Sequence, residues 1–122
     1  IDHIEEFIRR ITASAEQIAP MALCYGFGHI GDGNIHMMIL PITEETIEPW
    51  LEVKPAMEAA IDETVFDLDG TLSAEHGVGL LLRDRVGPQK QKLEWDMMRS
   101  VQRALDPDNV FNPGKLIPDP AS

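Results

Sequence analysis

The chain has 122 residues, 43% of them hydrophobic, which is enough for one domain with a buried core. Ten Lys and Arg residues stand against 21 Asp and Glu residues, a formal net charge of −11. A surface this acidic repels phosphate groups, so we expect neither nucleic acid nor an anionic membrane surface as a partner. No apolar run approaches the ~20 residues of a membrane span. The single cysteine, Cys24, cannot form an intrachain disulfide, so we expect a reducing, cytoplasmic location. Because Cys24 lies in an apolar run, we expect its thiol to be buried in the core.

The first third of the chain predicts a helix followed by a β-hairpin. Apolar residues recur at helical spacing over residues 2–18, and Pro20 ends that segment. Residues 21–29 and 34–41 are apolar runs that predict two strands, with a glycine-rich turn between them.

The remainder of the chain predicts two longer helices and one short strand. Residues 44–53 read as a polar, acidic connection, with a short helical turn around Trp50 and Leu51 as the alternative, and Pro55 opens a helix that reaches about Leu68. We expect a short strand over residues 71–74, an irregular segment or helix start over 78–87, and a helix from Pro88 to about Leu105. The tail that follows is rich in turn residues. The order α-β-β-α-β-α predicts an α+β domain with an antiparallel sheet covered by helices.

Acidic residues are concentrated between positions 44 and 69. We interpret this run as the solvated face of a helix, with an acidic docking surface as the alternative. The residues concerned are Glu44, Glu45, Glu48, Glu52, Glu58, Asp62, Glu63, Asp67 and Asp69.

Two separated motifs concentrate the chemistry of the chain. The first, residues 28–36, reads GHIGDGNIH, and the second, residues 73–77, reads SAEHG. If the hairpin turn is tight, His29 and His36 face each other across two strands, about 5 Å apart at Cβ, which suits two imidazoles holding one metal ion. Glu75 would complete a three-ligand site with an open position. The alternative is a glycine turn with a structural histidine on each arm.

His76 directly follows Glu75, so the backbone between them decides whether both side chains can serve one site. In an extended strand they would point to opposite faces, whereas a turn before Gly77 would let both reach one cavity. Glu75 would then bind metal and His76 would be a base that works near neutral pH. A structural, hydrogen-bonded histidine is the alternative for His76.

Both motifs, together with residues 105–115, LDPDNVFNPGK, resemble the C-terminal domain of FAD-linked oxidases. This group includes glycolate oxidase large subunits, D-lactate dehydrogenases and D-2-hydroxyglutarate dehydrogenases. The resemblance covers about residues 21–117, and its three motifs occur in the family's order. It implies one ferredoxin-like half of the family's C-terminal domain, which forms the substrate side of the flavin. The FAD-binding domain of the full-length protein would then be a partner absent from this chain.

The resemblance also implies roles for individual residues. His29, His36 and Glu75 match positions that coordinate a divalent metal, usually zinc, and His76 matches the proposed catalytic base. Asn112 matches an asparagine that lies toward the flavin in the family, and Asn112 and Glu75 are the predicted cofactor-binding residues.

The implied reaction is the dehydrogenation of a 2-hydroxy acid. The metal would polarise the substrate hydroxyl, His76 would remove its proton, and C2 would pass a hydride to FAD. Met38 stands where some members place a polar residue, which argues against the 2-hydroxyglutarate pattern and leaves the substrate open.

Two other functions remain open on the sequence alone. One is a stand-alone zinc hydrolase with the same ligands, and the other is a non-catalytic interaction module that uses the acidic helix over residues 55–68. For the isolated chain we expect no activity in any case. Apolar surface left by an absent domain could also drive self-association into a homo-oligomer.

Overall fold

The computed structural model describes residues 2–117, which form two compact units, residues 2–70 and 71–117. The first unit contains helix α1 (Ile4–Ile18), strands β1 (Ala22–His29) and β2 (Asn34–Pro41), and helix α2 (Ile47–Asp67). The second unit contains helices α3 (Gly79–Val86) and α4 (Lys92–Leu105). Three short 3-10 turns, at Ile30–Asp32, Glu44–Thr46 and Gly87–Gln89, lie between these elements. The α+β class is therefore confirmed.

The two strands form an antiparallel hairpin that packs one of its faces on α1 and α2. Its core consists of Ile11 and Ala15 from α1, Ile39 from β2 and Met57 from α2. Ala22, Cys24 and Met37 extend this contact along the same face of the sheet. Since neighbouring strand residues point to opposite faces, His36 and its same-face neighbours lie on the side of the sheet away from the helices.

Helix α2 begins eight residues before the predicted start at Pro55. Its start follows a capping box in which the Thr46 hydroxyl accepts a hydrogen bond from the Thr43 backbone N–H at 3.0 Å. Pro55 lies inside the helix, where its ring removes one backbone N–H donor. The acidic run therefore belongs mostly to one continuous helix of 21 residues.

The predicted strand over residues 71–74 is wrong, because this segment forms bends and a turn. Ala74 has a positive φ of 43°, and the His76 N–H donates to the Ser73 carbonyl at 2.9 Å. A backbone that closes on itself in this way cannot pair as an extended strand.

Helix α4 begins at Lys92 rather than at Pro88, which lies in the preceding 3-10 turn. Gln91 and Glu94 form a capping box at its start. Trp95 is the buried residue of the helix, and its indole N–H donates to the Gly87 carbonyl at 3.2 Å. Four apolar residues of the helix at i, i+4 spacing are not buried but 60–78% exposed. We call them the α4 stripe: Leu93, Met97, Val101 and Leu105.

No helix within residues 2–117 combines the length and the apolar character required to cross a lipid bilayer.

Candidate functional site

The histidine hairpin forms as predicted, but its register separates the two histidines. His29 pairs with Asn34, and His36 pairs with Phe27. His29 and His36 are therefore diagonal neighbours on one face of the sheet, and the expectation that they face each other directly is wrong. The reason is the connection, which contains a 3-10 turn and Gly33 in the left-handed conformation and so places four residues between the strands. Diagonal neighbours remain within reach of long side chains.

Gly28 fixes the backbone between Phe27 and His29. Its φ is +149°, and a Cβ at this position would lie 2.3 Å from the Asn34 carbonyl oxygen. Only glycine fits so close an approach of the two strands. The placement of His29 beside the loop thus depends on a residue that has no side chain.

Phe27 contacts His36 directly, a role that the sequence analysis missed. The two rings stack with centroids 5.3 Å apart and an interplanar angle of 23°. Tyr25 continues the aromatic row, with its ring centroid 6.4 Å from that of Phe27. Stacking restricts the orientations of the half-buried His36 imidazole, whereas His29 is exposed at the end of the strand. In the sequence, Tyr25 and Phe27 alternate along β1 and therefore share a face of the sheet. Only the strand register shows that this face also carries His36.

Glu75 and His76 lie together in the turn that precedes α3. The His76 Nε2 atom is 3.6 Å from the Glu75 Oε1 atom, and 69% and 45% of the two side chains are exposed. The turn geometry, with Gly77 at a φ of +70°, is the arrangement that allows both side chains to serve one site.

Asn112 lies in the tail that follows α4, with a positive φ of 48°. Its carbonyl accepts a hydrogen bond from the Lys115 N–H at 3.3 Å. The same tail is attached to α3, because the Arg83 Nη1 atom donates to the Gly114 carbonyl at 2.7 Å. Asp106 is buried, and its carboxylate accepts hydrogen bonds from the backbone of this tail.

Cys24 lies on the helix-facing side of the sheet, away from the histidines. Burial raises the pKa of its thiol, so the reactive thiolate is disfavoured at neutral pH. The prediction that Cys24 contributes to the core is consistent with its packing against the core cluster.

The donor chemistry of these residues suits a divalent transition metal. His29 and His36 present two imidazoles from one sheet face, and Glu75 presents a carboxylate from a turn. Imidazole and carboxylate ligands are those found at catalytic zinc sites with an open coordination position.

Comparison with known proteins identifies the family. The family model described as "FAD linked oxidases, C-terminal domain" matches residues 1–116, so the match includes α1, which the sequence analysis left outside the resemblance. D-2-hydroxyglutarate dehydrogenase of Stutzerimonas stutzeri (strain A1501) is 32% identical over 116 residues, 95% of this chain and 25% of the relative.

Two vertebrate proteins show similar levels of identity. The mitochondrial D-2-hydroxyglutarate dehydrogenase of Bos taurus is 32% identical over 117 residues, 96% of this chain and 20% of the relative. A protein of Danio rerio named "Probable D-lactate dehydrogenase, mitochondrial" is 36% identical over 94 residues, 74% of this chain and 18% of the relative. The chain thus spans a quarter or less of the length of these relatives. It belongs to the family of FAD-linked oxidase C-terminal domains.

Proposed function

We propose that this chain is the substrate-side portion of an FAD-dependent 2-hydroxy acid dehydrogenase. The observation that carries the proposal is the family match over residues 1–116, with relatives named for D-2-hydroxyglutarate and D-lactate. The FAD-binding domain of the same full-length protein would be its partner. Without that domain the 122-residue chain should be inactive.

We propose His29, His36 and Glu75 as the ligands of a divalent metal, with zinc as the expected ion. The support is their donor chemistry, the shared sheet face of the two histidines and the Phe27 ring that restricts His36. A bound divalent ion would supply Lewis-acid polarisation of the substrate hydroxyl.

His76 is the proposed catalytic base. Its imidazole would accept the proton of the substrate C2 hydroxyl, and the Glu75 Oε1 atom, 3.6 Å from its Nε2 atom, would hold the ring in position. FAD, held mainly by the partner domain, would supply the hydride acceptor. The substrate would lose its hydroxyl proton to His76 and a hydride from C2, which leaves a 2-oxo acid.

Asn112 is proposed to contact the flavin from the tail, and Glu75 is the second proposed cofactor-binding residue. The substrate class is a small 2-hydroxy acid, and the cytoplasmic location stays a prediction.

Met38 lies on β2 two residues after His36, so the Met38→Ser substitution is a direct test of substrate choice between D-lactate and D-2-hydroxyglutarate.

Zinc titration of the chain by calorimetry tests the metal ligands. We expect one-to-one binding that is lost in His36→Ala and in Glu75→Ala. Two matched controls should leave binding intact: His3→Ala, which replaces the exposed fourth histidine, and Glu45→Ala, which replaces an exposed glutamate. Equal loss in the controls, or binding that survives both ligand substitutions, would refute the assignment.

Flavin reduction in the intact, FAD-loaded protein tests the reaction. The oxidised-flavin absorbance should disappear on mixing with a 2-hydroxy acid, and His76→Ala should slow this step by about 10²- to 10⁴-fold, the usual contribution of a general base. His3→Ala again serves as the control. Full activity of His76→Ala would remove His76 from the mechanism without touching the metal assignment.

A further inference from the structure

The Asp106 carboxylate receives two backbone hydrogen bonds at the end of α4. The Val110 N–H donates to Oδ1 and the Phe111 N–H donates to Oδ2, each at 2.9 Å. Asp106 is only 8% exposed. Hydrogen bonds from backbone N–H groups to a carboxylate are among the stronger ones in proteins, because the acceptor is charged.

The segment that these bonds hold has an unusual backbone. Asn109 and Asn112 both have left-handed conformations, with φ of 51° and 48°. The Asn109 N–H donates to the Asp106 carbonyl at 3.1 Å, so the first turn of the tail also closes on Asp106. Left-handed conformations of residues other than glycine persist where their surroundings hold them in place.

We propose that Asp106 is a positioning residue that sets the place of Asn112 at the flavin. The inference rests on the proposed function, in which Asn112 contacts the cofactor. Phe111, whose N–H is bound by Oδ2, immediately precedes Asn112, so a change at Asp106 is transmitted across a single peptide unit. The Arg83 contact with the Gly114 carbonyl holds the tail on the other side of Asn112.

Asp106→Asn is the sharpest test because it preserves the shape of the side chain. The amide has one carbonyl oxygen, so its NH₂ group must face one of the two backbone N–H donors and one hydrogen bond is lost. Asp108→Asn is the matched control, since Asp108 is exposed two residues further along the same tail. Asp106→Glu keeps the carboxylate and serves as the second variant if Asp106→Asn folds poorly.

The first measurement is hydrogen exchange of the tail in the intact, FAD-loaded protein, followed by mass spectrometry of peptides that cover residues 106–116. Exchange of the Val110 and Phe111 amides should accelerate about tenfold or more in Asp106→Asn, and by less in Asp106→Glu. Asp108→Asn should match the wild type. Unchanged hydrogen exchange in both Asp106→Asn and Asp106→Glu overturns the inference, regardless of the rate of flavin reduction.

The second measurement is a double-mutant cycle on the rate of flavin reduction, with FAD content measured in every variant. Asp106→Asn should lower the rate about tenfold to a hundredfold at unchanged FAD content, the scale expected when a contacting group is misplaced. Combined with Asn112→Ala, it should add nothing further, because both substitutions remove the same contact.

The outcomes separate the inference from the proposed function. Additive effects of Asp106→Asn and Asn112→Ala would overturn positioning and leave Asp106 with a role in stability alone. A silent Asn112→Ala beside accelerated exchange in Asp106→Asn would refute the flavin role of Asn112, and with it the positioning step. Accelerated exchange with a non-additive cycle supports both.

Discussion

Substitution of Gly28 by alanine should destabilise the histidine hairpin, and its neighbour Gly31 provides the matched control. The added Cβ would lie 2.3 Å from the Asn34 carbonyl oxygen, a backbone atom that moves only if the strands separate. The φ of +149° is a further penalty for any residue with a side chain. Strain of this kind costs on the order of 1–3 kcal/mol, and overpacking adds a similar amount. We therefore expect Gly28→Ala to lower the free energy of unfolding by about 2–6 kcal/mol.

At Gly31 the same added methyl group meets no heavy atom within 4 Å. Gly31→Ala should change the free energy of unfolding by less than about 1 kcal/mol, with a small stabilisation from the reduced freedom of the unfolded chain. Urea unfolding followed by tryptophan fluorescence measures both variants. A Trp95→Phe background leaves Trp50 as the reporter of residues 2–70. Equal effects at the two glycines would refute the close approach at Gly28.

Three further predictions concern packing, reactivity and association. Met57→Ala should cost about 2–5 kcal/mol in urea unfolding because Met57 is 1% exposed, whereas Leu51→Ala on the same helix, at 55% exposure, should cost less than about 1 kcal/mol. Cys24 should be alkylated more slowly in the folded chain than in urea at pH 8 to 9. Because burial raises its folded pKa, the stability that the protonated thiol contributes is present at neutral pH and is lost as pH rises through that pKa. The exposed α4 stripe should drive self-association of the isolated chain, which Val101→Asp should reduce; a strictly monomeric wild type in light scattering would contradict this.

The hairpin was predictable to within a residue because its signals are local. Apolar runs on both sides of a glycine-rich segment define two strands and their connection without reference to the rest of the chain. The register was not predictable in the same way. It depends on how many residues the connection holds, and the 3-10 turn at Ile30–Asp32 moved Asn34, rather than His36, opposite His29.

The position of Pro55 and the spacing of apolar residues gave wrong predictions for the start of α2 and the buried face of α4, because tertiary packing decides both. Pro55 predicted a helix start, but Trp50 and Met57 pack against the same core, so one helix passes through the proline. The helical spacing of the α4 stripe correctly predicted a helix. It did not predict which face of that helix is buried, because within residues 71–117 Trp95 is the buried residue of α4 and the stripe is exposed. Asp106 belongs to the motif over residues 105–115, but the motif did not indicate its two hydrogen bonds, which depend on how the tail turns back.

A formal net charge of −11 is at first sight unfavourable for the proposed anionic substrate, but this charge is unevenly distributed along the chain. Residues 1–70 contain fourteen Asp and Glu against three Lys and Arg, whereas residues 71–122 contain seven of each. The formal excess of −11 therefore belongs entirely to the first unit, and the part of the chain with His76 and Asn112 is neutral by the same count.

Within the first unit, nine of the fourteen acidic residues lie on α1 and α2, the helices that cover the Cys24 and Ile39 face of the sheet. His29 and His36 occupy the opposite face. The sheet thus separates most of the negative charge from the two imidazoles, and the screening length in physiological salt, about 8 Å, weakens what remains. The proposed metal ligands His29 and His36 therefore lie on the sheet face away from most carboxylates of the first unit, and this is compatible with the proposed carboxylate substrate.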